Sequence, residues 1–292
     1  MLKRLFHPTH RRVRWLVGAL LVGLFFALYT TQPAPAVKSA DSFVTVVAGE
    51  SLGEIPPEAV ATLADLAKTD HIAVLEKCLE NCTQQYNDYT LTFIKQERLK
   101  GKLRDQQTID VAFRRHPFSV AMKWTENAPK GDRVLYVDGM WEGKMLIRPT
   151  GGLARSLIGG QVLRDPTGGE VMASTLRPVT AFGFENSLKD LLKVYRAAKQ
   201  RGDLVQEFGG FGQIEGRDVI ILIRKLPAVD DYPAAKTVIY VDTEYMVPVM
   251  VEGYDWSQEP QLLCRYVFKD MQFNVDLPDD RFTPRANDMN SP

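Results

Sequence analysis

Histidine is the first scarcity. The chain has four in 292 residues, and His7 and His10 fall within its first ten positions, which leaves only His71 and His116 in the body. Serine–histidine–acid and cysteine–histidine machinery therefore has two candidate bases at most. The sequence has no H-E-x-x-H and no C-x-x-C, and its glycine-rich stretch lacks the G-K-[ST] of a phosphate-binding loop. Cysteine is scarce as well, with Cys78, Cys82 and Cys264 alone. An odd count leaves at least one thiol unpaired within the chain. The string CLENC places Cys78 and Cys82 four apart on one helix face, where the plain reading is small buried apolar residues. A bridge from that helix to Cys264 stays open. No metal site or cofactor is expected.

Excess charge is also lacking, but the neutral total hides an asymmetry. Residues 1–36 hold five of the 36 Lys and Arg and none of the 36 Asp and Glu, so the remainder carries 31 basic against 36 acidic residues, a net −5. A mildly acidic body has no general electrostatic reason to bind nucleic acid. The basic leader, Lys3, Arg4, Arg11, Arg12 and Arg14, precedes the apolar run WLVGALLVGLFFALY at 15–29, and Ala34 and Ala36 follow as A-x-A. The run is shorter than the ~20 residues of a spanning helix. Residues 1–36 thus read as a signal peptide, with an N-terminal membrane anchor through 15–31 as the alternative. Either reading exports the body to the periplasm or cell envelope.

Residues 37–57 are small, polar and proline-bearing, a linker, and 58–286 read as a single domain before a disordered tail at 287–292. Two helical stripes come first: Val60, Leu63 and Leu66, then Ile72, Leu75, Leu79, Cys82 and Tyr86, with Thr69-Asp70 as a fresh cap or a kink. His71, near that start, reads as a surface residue. From Tyr89 the period switches to two through five short-linked segments, and VIILIRKL, TVIYVD, VPVMVEGYDW and LLCRYVFKDMQF repeat the pattern near the C-terminus. Pro248 marks an edge strand or a bulge. Between the two meanders lie a segment with six glycines, 150–176, and a helix over 187–201 capped by Asn186 or Ser187. The expected class is mainly β with helices (α+β): a half-open antiparallel β-barrel or large curved sheet covered on its concave face by helices.

What the sequence has in abundance is large apolar surface on strands. In FRRHPFSVAMKW, residues 113–124, Phe118, Val120, Met122 and Trp124 point one way, beneath a basic corner of Arg114, Arg115 and His116. With Phe113, Tyr136, Tyr266 and Phe268 these residues either fill a core or line a hydrophobic cavity. Asp138, Asp242, Glu252 and Asp255 could pair as hydrolytic carboxylates, although each sits where a turn or strand end places an exposed acid. No catalytic residue is assigned.

The order of these pieces resembles the bacterial lipoprotein-carrier superfamily (LolA-like). RRHPFSVAMKW followed by VLYVDGMWEGKMLIRP resembles its basic-Pro strand and DG…W hairpin, and YVFKDMQFNVDLPDDRFTP resembles its closing strand. From about Cys78 to Pro284 the chain more closely resembles an uncharacterised domain-of-unknown-function family of that superfamily, with TGG…DPTGG…TLRPVTAFG as its middle. The resemblance implies a half-open barrel whose cavity takes lipid acyl chains or lipidated protein. It also implies a latch at the position before the strand proline, which here is His116 rather than arginine. Phe113, Phe118, Val120, Met122, Trp124, Tyr136, Tyr266 and Phe268 become the expected cavity lining, and Arg114, Arg115 and His116 its rim or latch. The expected function is a non-enzymatic, carrier-like binding protein of the envelope. The alternatives are a membrane-tethered sensing module that binds another envelope protein, and a carboxylate-based hydrolase.

Overall fold

A computed structural model of the chain describes residues 44–45, 57–152, 160–229 and 231–290. The leader with its apolar run, most of the 37–57 linker and residues 291–292 lie outside the described residues, so the expectations of a signal peptide, an anchor and membrane association lie there too. Among the described residues, no helix is long and apolar enough to cross a membrane.

The domain opens with α1 (Pro57–Thr69) and α2 (His71–Gln85). Asp70 separates them as a true cap: its carboxylate accepts the Ala73 N–H at 3.1 Å, satisfying one of the donors that a helix start leaves free. The strands are β1 (Val44–Thr45), β2 (Asp88–Leu99), β3 (Lys102–Leu103), β4 (Gln107–Arg114), β5 (Ser119–Glu126), β6 (Gly131–Val137), β7 (Met145–Pro149) and β8 (Val162–Arg164). After α3 (Gly169–Met172) and α4 (Phe184–Arg201) come β9 (Val205–Ile214), β10 (Arg217–Lys225), β11 (Lys236–Asp242), β12 (Pro248–Tyr254) and β13 (Leu262–Phe273). All pair antiparallel, in the order β1-β9-β10-β11-β12-β13-β2-β4-β5-β6-β7-β8, with β3 on β2. The two meanders are therefore one curved, open sheet, joined where β13 pairs with β2. It does not close into a barrel, because β1 and β8 stand at opposite ends of the order.

The helices cover one half of this sheet. Tyr86 of α2 stacks on Phe273 at 3.9 Å, and Tyr195 of α4 lies over the guanidinium of Arg224 at 5.0 Å. Helix α4 starts one turn earlier than the sequence suggests. Phe184 is pulled in by aromatic packing, and its N–H donates to the Tyr89 hydroxyl at 3.3 Å. Asn186, the expected cap, instead donates to the Thr180 and Phe182 carbonyls. Gly183 precedes it at φ 109°, and a Cβ there would meet the Phe113 ring at 2.9 Å, so both conformation and space require glycine.

Several expectations are corrected. His71 is buried, not on the surface, because the start of α2 is wedged between β9 and α4: its N–H donates to Gln206 and its Nδ1 meets the Tyr195 hydroxyl at 3.3 Å. Of the two readings of Pro248 the edge fails and the bulge holds: β12 lies between β11 and β13, and the register shifts beside the proline. Strand β9 was invisible to alternation because Gly209, Gly210 and Gly212 interrupt it. The three cysteines are free, and burial pushes their thiols up, Cys78 to about 12 and Cys82 and Cys264 to about 11. The expected tail at 287–292 is structured at its start: Asn287 is buried, and Met289 joins Phe282 in covering Ala112, Ala121, Leu135, Val137 and Leu146 on the sheet face away from α4.

Two buried arginines give a contrast in stability. Arg265 Nε donates to Glu252 at 2.7 Å with both groups buried, whereas Arg224 has no carboxylate partner and leaves its Nε and Nη1 without acceptors. Arg265→Met should cost about 3–5 kcal/mol in urea unfolding, because it strands a buried charge, while Arg224→Met should leave stability unchanged or raise it. The second test is pH. Burial lowers the His71 imidazole from 6.5 to about 4, so between those values the unfolded chain binds a proton that the native one does not. Stability should fall as pH drops through that window, and His71→Gln should flatten the slope.

Candidate functional site

The face of the sheet under α4 is built in rows of cross-strand neighbours. One row is aromatic: Tyr89 lies opposite Phe113, Phe113 opposite Val120 and Val120 opposite Tyr136. The next runs Leu91, Val111, Met122, Val134, Ile147 and Val162 across β2 and β4–β8. A third runs Phe268, Phe93, Ile109 and Trp124 across β13, β2, β4 and β5. The fourth is polar: Tyr266 lies opposite Lys95, and Lys95 opposite Gln107.

Helix α4 and the residues before it seal the aromatic row. Phe184 packs on Tyr89 and Phe268, Phe182 meets Phe93 at 5.5 Å, and Phe118 stands edge-on to Phe113 at 5.5 Å. Over the two apolar rows α4 contributes its first turn, with Phe184 on Phe268 and Ser187 at the cavity edge. The rows are otherwise roofed by β8, α3 and the irregular segment that follows, leaving a partly open cavity of about 330 Å³. That volume falls at the small end of ligand pockets. The floor is Met122, Val134, Met145, Ile147, Ile109 and Phe93; Val171, Pro178, Val179 and Phe182 form the roof.

The polar row ends the cavity on the side away from the aromatic seal. Lys95 Nζ lies 3.3 Å from Glu97 Oε2 and donates to the Thr175 hydroxyl of the roof at 3.1 Å. The Tyr266 hydroxyl donates to Glu97 Oε1 at 2.7 Å. Burial, with Cys264 and Glu97 close by, raises the Tyr266 phenol well above its ordinary value, so it remains a donor. The Trp124 indole N–H donates to Gln107 at 2.8 Å, which orients the ring across the cavity wall.

The expected lining thus splits by position along the strands. Met122, Trp124, Tyr266 and Phe268 line the cavity. Phe113, Val120 and Tyr136 belong to the sealed row and Phe118 packs edge-on to two of its rings, so all four fill the core instead. Lys95, Glu97, Thr175 and Phe182 escaped sequence reasoning. A Lys and a Glu two apart on one strand face, interrupting an apolar alternation, was the available signal.

The basic corner is not the cavity rim. Arg114 reaches the opposite face, bonded to Asp279 at 2.5 Å and lying over the Phe282 ring at 4.8 Å. Arg115 donates to the Thr83 and Cys82 carbonyls at the end of α2 at 2.5 and 2.6 Å, and its Nε lies 3.2 Å from Glu185 in the first turn of α4. It ties two helices together. His116 is exposed.

No group of metal-ligating side chains occurs among the described residues. Of the four weighed acids, Asp138 is exposed, and Asp255 accepts from Ser257 and Gln261 in a turn. Asp242 is buried, bonded to Arg217 and to turn N–H groups, and Glu252 is buried against Arg265, so neither is an exposed strand-end acid. A G-x-S-x-G string occurs as GESLG at 49–53, outside the described residues. It signals a nucleophile only at a tight strand-to-helix turn, and several residues part it from both Thr45 and Pro57.

The family model described as "Protein of unknown function (DUF1571)" matches residues 86–290, so the chain belongs to that family, and the sequence-based resemblance to such a family is borne out. No curated protein matches the sequence. Solved structures similar to it include the Pseudomonas aeruginosa MucA/MucB complex, at 15% identity, TM-score 0.43, covering 74% of this chain and 61% of that one. Lipoprotein LppX of Mycobacterium tuberculosis matches at 13% identity and TM-score 0.41, covering 72% of this chain and 99% of that one. A LolA superfamily protein of Nitrosomonas europaea matches at 12% identity and TM-score 0.30, covering 71% and 96%. The chain spans about six-tenths of the length of the MucB chains it matches, 62% and 61%. These likenesses are too loose to bear on the site.

If Arg115 is a helix tie rather than a cavity latch, Arg115→Met should lower stability by about 2 kcal/mol, the worth of its charge-assisted bonds. Binding of an apolar fluorescent probe to the folded variant should stay unchanged, as read by titration.

Proposed function

We propose that this DUF1571 member is an extracytoplasmic binding protein for lipid acyl chains or lipidated protein, acting as a carrier rather than as an enzyme. The observation that carries the reading is the uneven cover. One half of a continuous apolar sheet face is filled by α2 and α4, and the other half is left as a cavity floored by Met122, Val134, Met145 and Ile147. An apolar floor left unfilled forfeits dispersion contacts, so an apolar guest is favoured there. The basic leader and apolar run at the N-terminus support export of the domain.

The roof supports reversible loading. It is short and irregular, and its side chains include Ser174, Thr175 and Arg177 alongside Val171 and Val179. Such a segment opens locally at less cost than a packed helix. A carrier needs that difference, since release requires the cover to move while the sheet stays folded.

The test is uptake of a fluorescent fatty acid by the purified protein. Trp124→Asp should lower affinity at least about tenfold, since it places a charge in an apolar wall, whereas Lys123→Asp on the exposed face should not change it. Val134→Trp, which fills the cavity floor, should abolish uptake in a protein that still unfolds cooperatively. Equal uptake by all four proteins would overturn the reading.

A further inference from the structure

The cavity is polarised along its length, and that polarity bears on which guest it takes. At one end stands the aromatic row of Tyr89, Phe113, Val120 and Tyr136, sealed by Phe184 on Tyr89 and Phe118 on Phe113. Two apolar rows follow, and then the polar row with Lys95, Glu97 and Tyr266. Lys95 and Glu97 are nearly buried, with side-chain exposures of 10% and 4%. An ion pair taken out of water rarely adds stability over apolar side chains of the same volume. Its place at the end of the apolar floor therefore points to a partner for it in the guest.

The hydrogen-bond inventory says what kind of partner. Glu97 accepts from Lys95 on one oxygen and from Tyr266 on the other, at 3.3 and 2.7 Å. An ionised carboxylate has no donor to offer, whereas an ammonium group has three. Two of those of Lys95 go to Glu97 and Thr175. The third has no acceptor among the described residues. The charges of the lining agree: four cationic side chains, Lys95, Lys130, Arg164 and Arg177, stand against the two acids Glu97 and Glu170. Arg164 is paired with Glu170 at 2.8 Å, and Arg177 reaches Asp190 outside the cavity at 2.8 Å. With Lys95 itself paired to Glu97, one net positive charge remains, at the exposed Lys130, while Lys95 contributes a donor rather than an unbalanced charge.

Resting on the binding function proposed above, we infer that the guest is an amphiphile with a single hydrocarbon chain and an anionic oxygen head, its chain along the apolar rows and its head at Lys95. Carboxylate and phosphate heads share the required chemistry. Both present a charged acceptor to an ammonium donor, and a charge-assisted bond of this kind is roughly twice as strong as a neutral one. A neutral alcohol or ester fills the same apolar rows but gains less at Lys95.

The experiment titrates the intact protein with palmitate, hexadecyl phosphate, hexadecanol and methyl palmitate at mildly alkaline pH, each displacing the same fluorescent probe. Palmitate, hexadecyl phosphate or both should bind about tenfold or more tighter than the two neutral compounds, equivalent to ~1.4 kcal/mol. Which of the two anions binds better identifies the head. The double variant Lys95→Gln/Glu97→Gln removes both charges together, so no buried charge is stranded. In it the anionic advantage should vanish while hexadecanol binds as before. Equal binding of charged and neutral amphiphiles by the native protein overturns the inference and leaves the binding function standing, as does an anionic advantage that survives the double substitution. Failure of all four compounds to displace the probe overturns both.

Discussion

The pairing of β13 with β2 is the constraint on which the rest depends. It brings together strands from opposite ends of the domain, with Phe268 opposite Phe93 and Tyr266 opposite Lys95. Without it there are two separate meanders, neither wide enough to carry both a filled half and a hollow half. With it, Tyr266 reaches Glu97 across a sequence separation of 169 residues, and Phe268 extends the apolar floor laid by β2, β4 and β5. A long-range pairing of this kind pays its loop-closure entropy before its contacts repay it. The pairing is secured from both sides: Asn274, just past β13, accepts the Asn87 N–H and donates to Gln85, while Asp88 accepts the Val275 and Leu277 N–H groups.

The aromatic seal is the second device. Tyr89, Phe113, Phe182, Phe184 and Phe268 meet where α4 begins, with ring centroids 4.5–6.4 Å apart, the range in which aromatic rings attract. It divides a single apolar face into a core that the protein fills with its own side chains and a cavity that it does not. Gly183 permits the close approach, and Arg115 holds α2 and α4 in register above it. The C-terminal segment supports the same strands from the other face, where the small Ala112 and Ala121 make room for Phe282.

Much of this was legible in the sequence. The period-two runs marked most strands and the faces they bury, Asp70 marked the break between α1 and α2, and the ordered motifs identified the family. What alternation cannot show is position along a strand. Val120 and Met122 point the same way and lie about 6.6 Å apart, yet the first is sealed under aromatics and the second floors the cavity, because the helix start that separates them belongs to a different part of the chain. The basic corner was misread for a related reason: Arg114 and Arg115 are adjacent and point to opposite faces, one to Asp279 and one to Glu185, partners far away in sequence. Lys95 and Glu97 were passed over because in a sequence an acid and a base two apart look like the solvent face of a strand. Only the neighbouring strands show that they face inward.

The central claim is that the apolar floor between the aromatic seal and Lys95 holds a hydrocarbon chain. The most direct test is a crystal structure of the protein grown with a fatty acid brominated at its terminal carbon. The account predicts an anomalous bromine peak between Met122, Val134, Met145 and Phe182, with the carboxylate toward Lys95. A cavity occupied by its own side chains or by ordered water alone, with no bromine peak at saturating ligand, would contradict it.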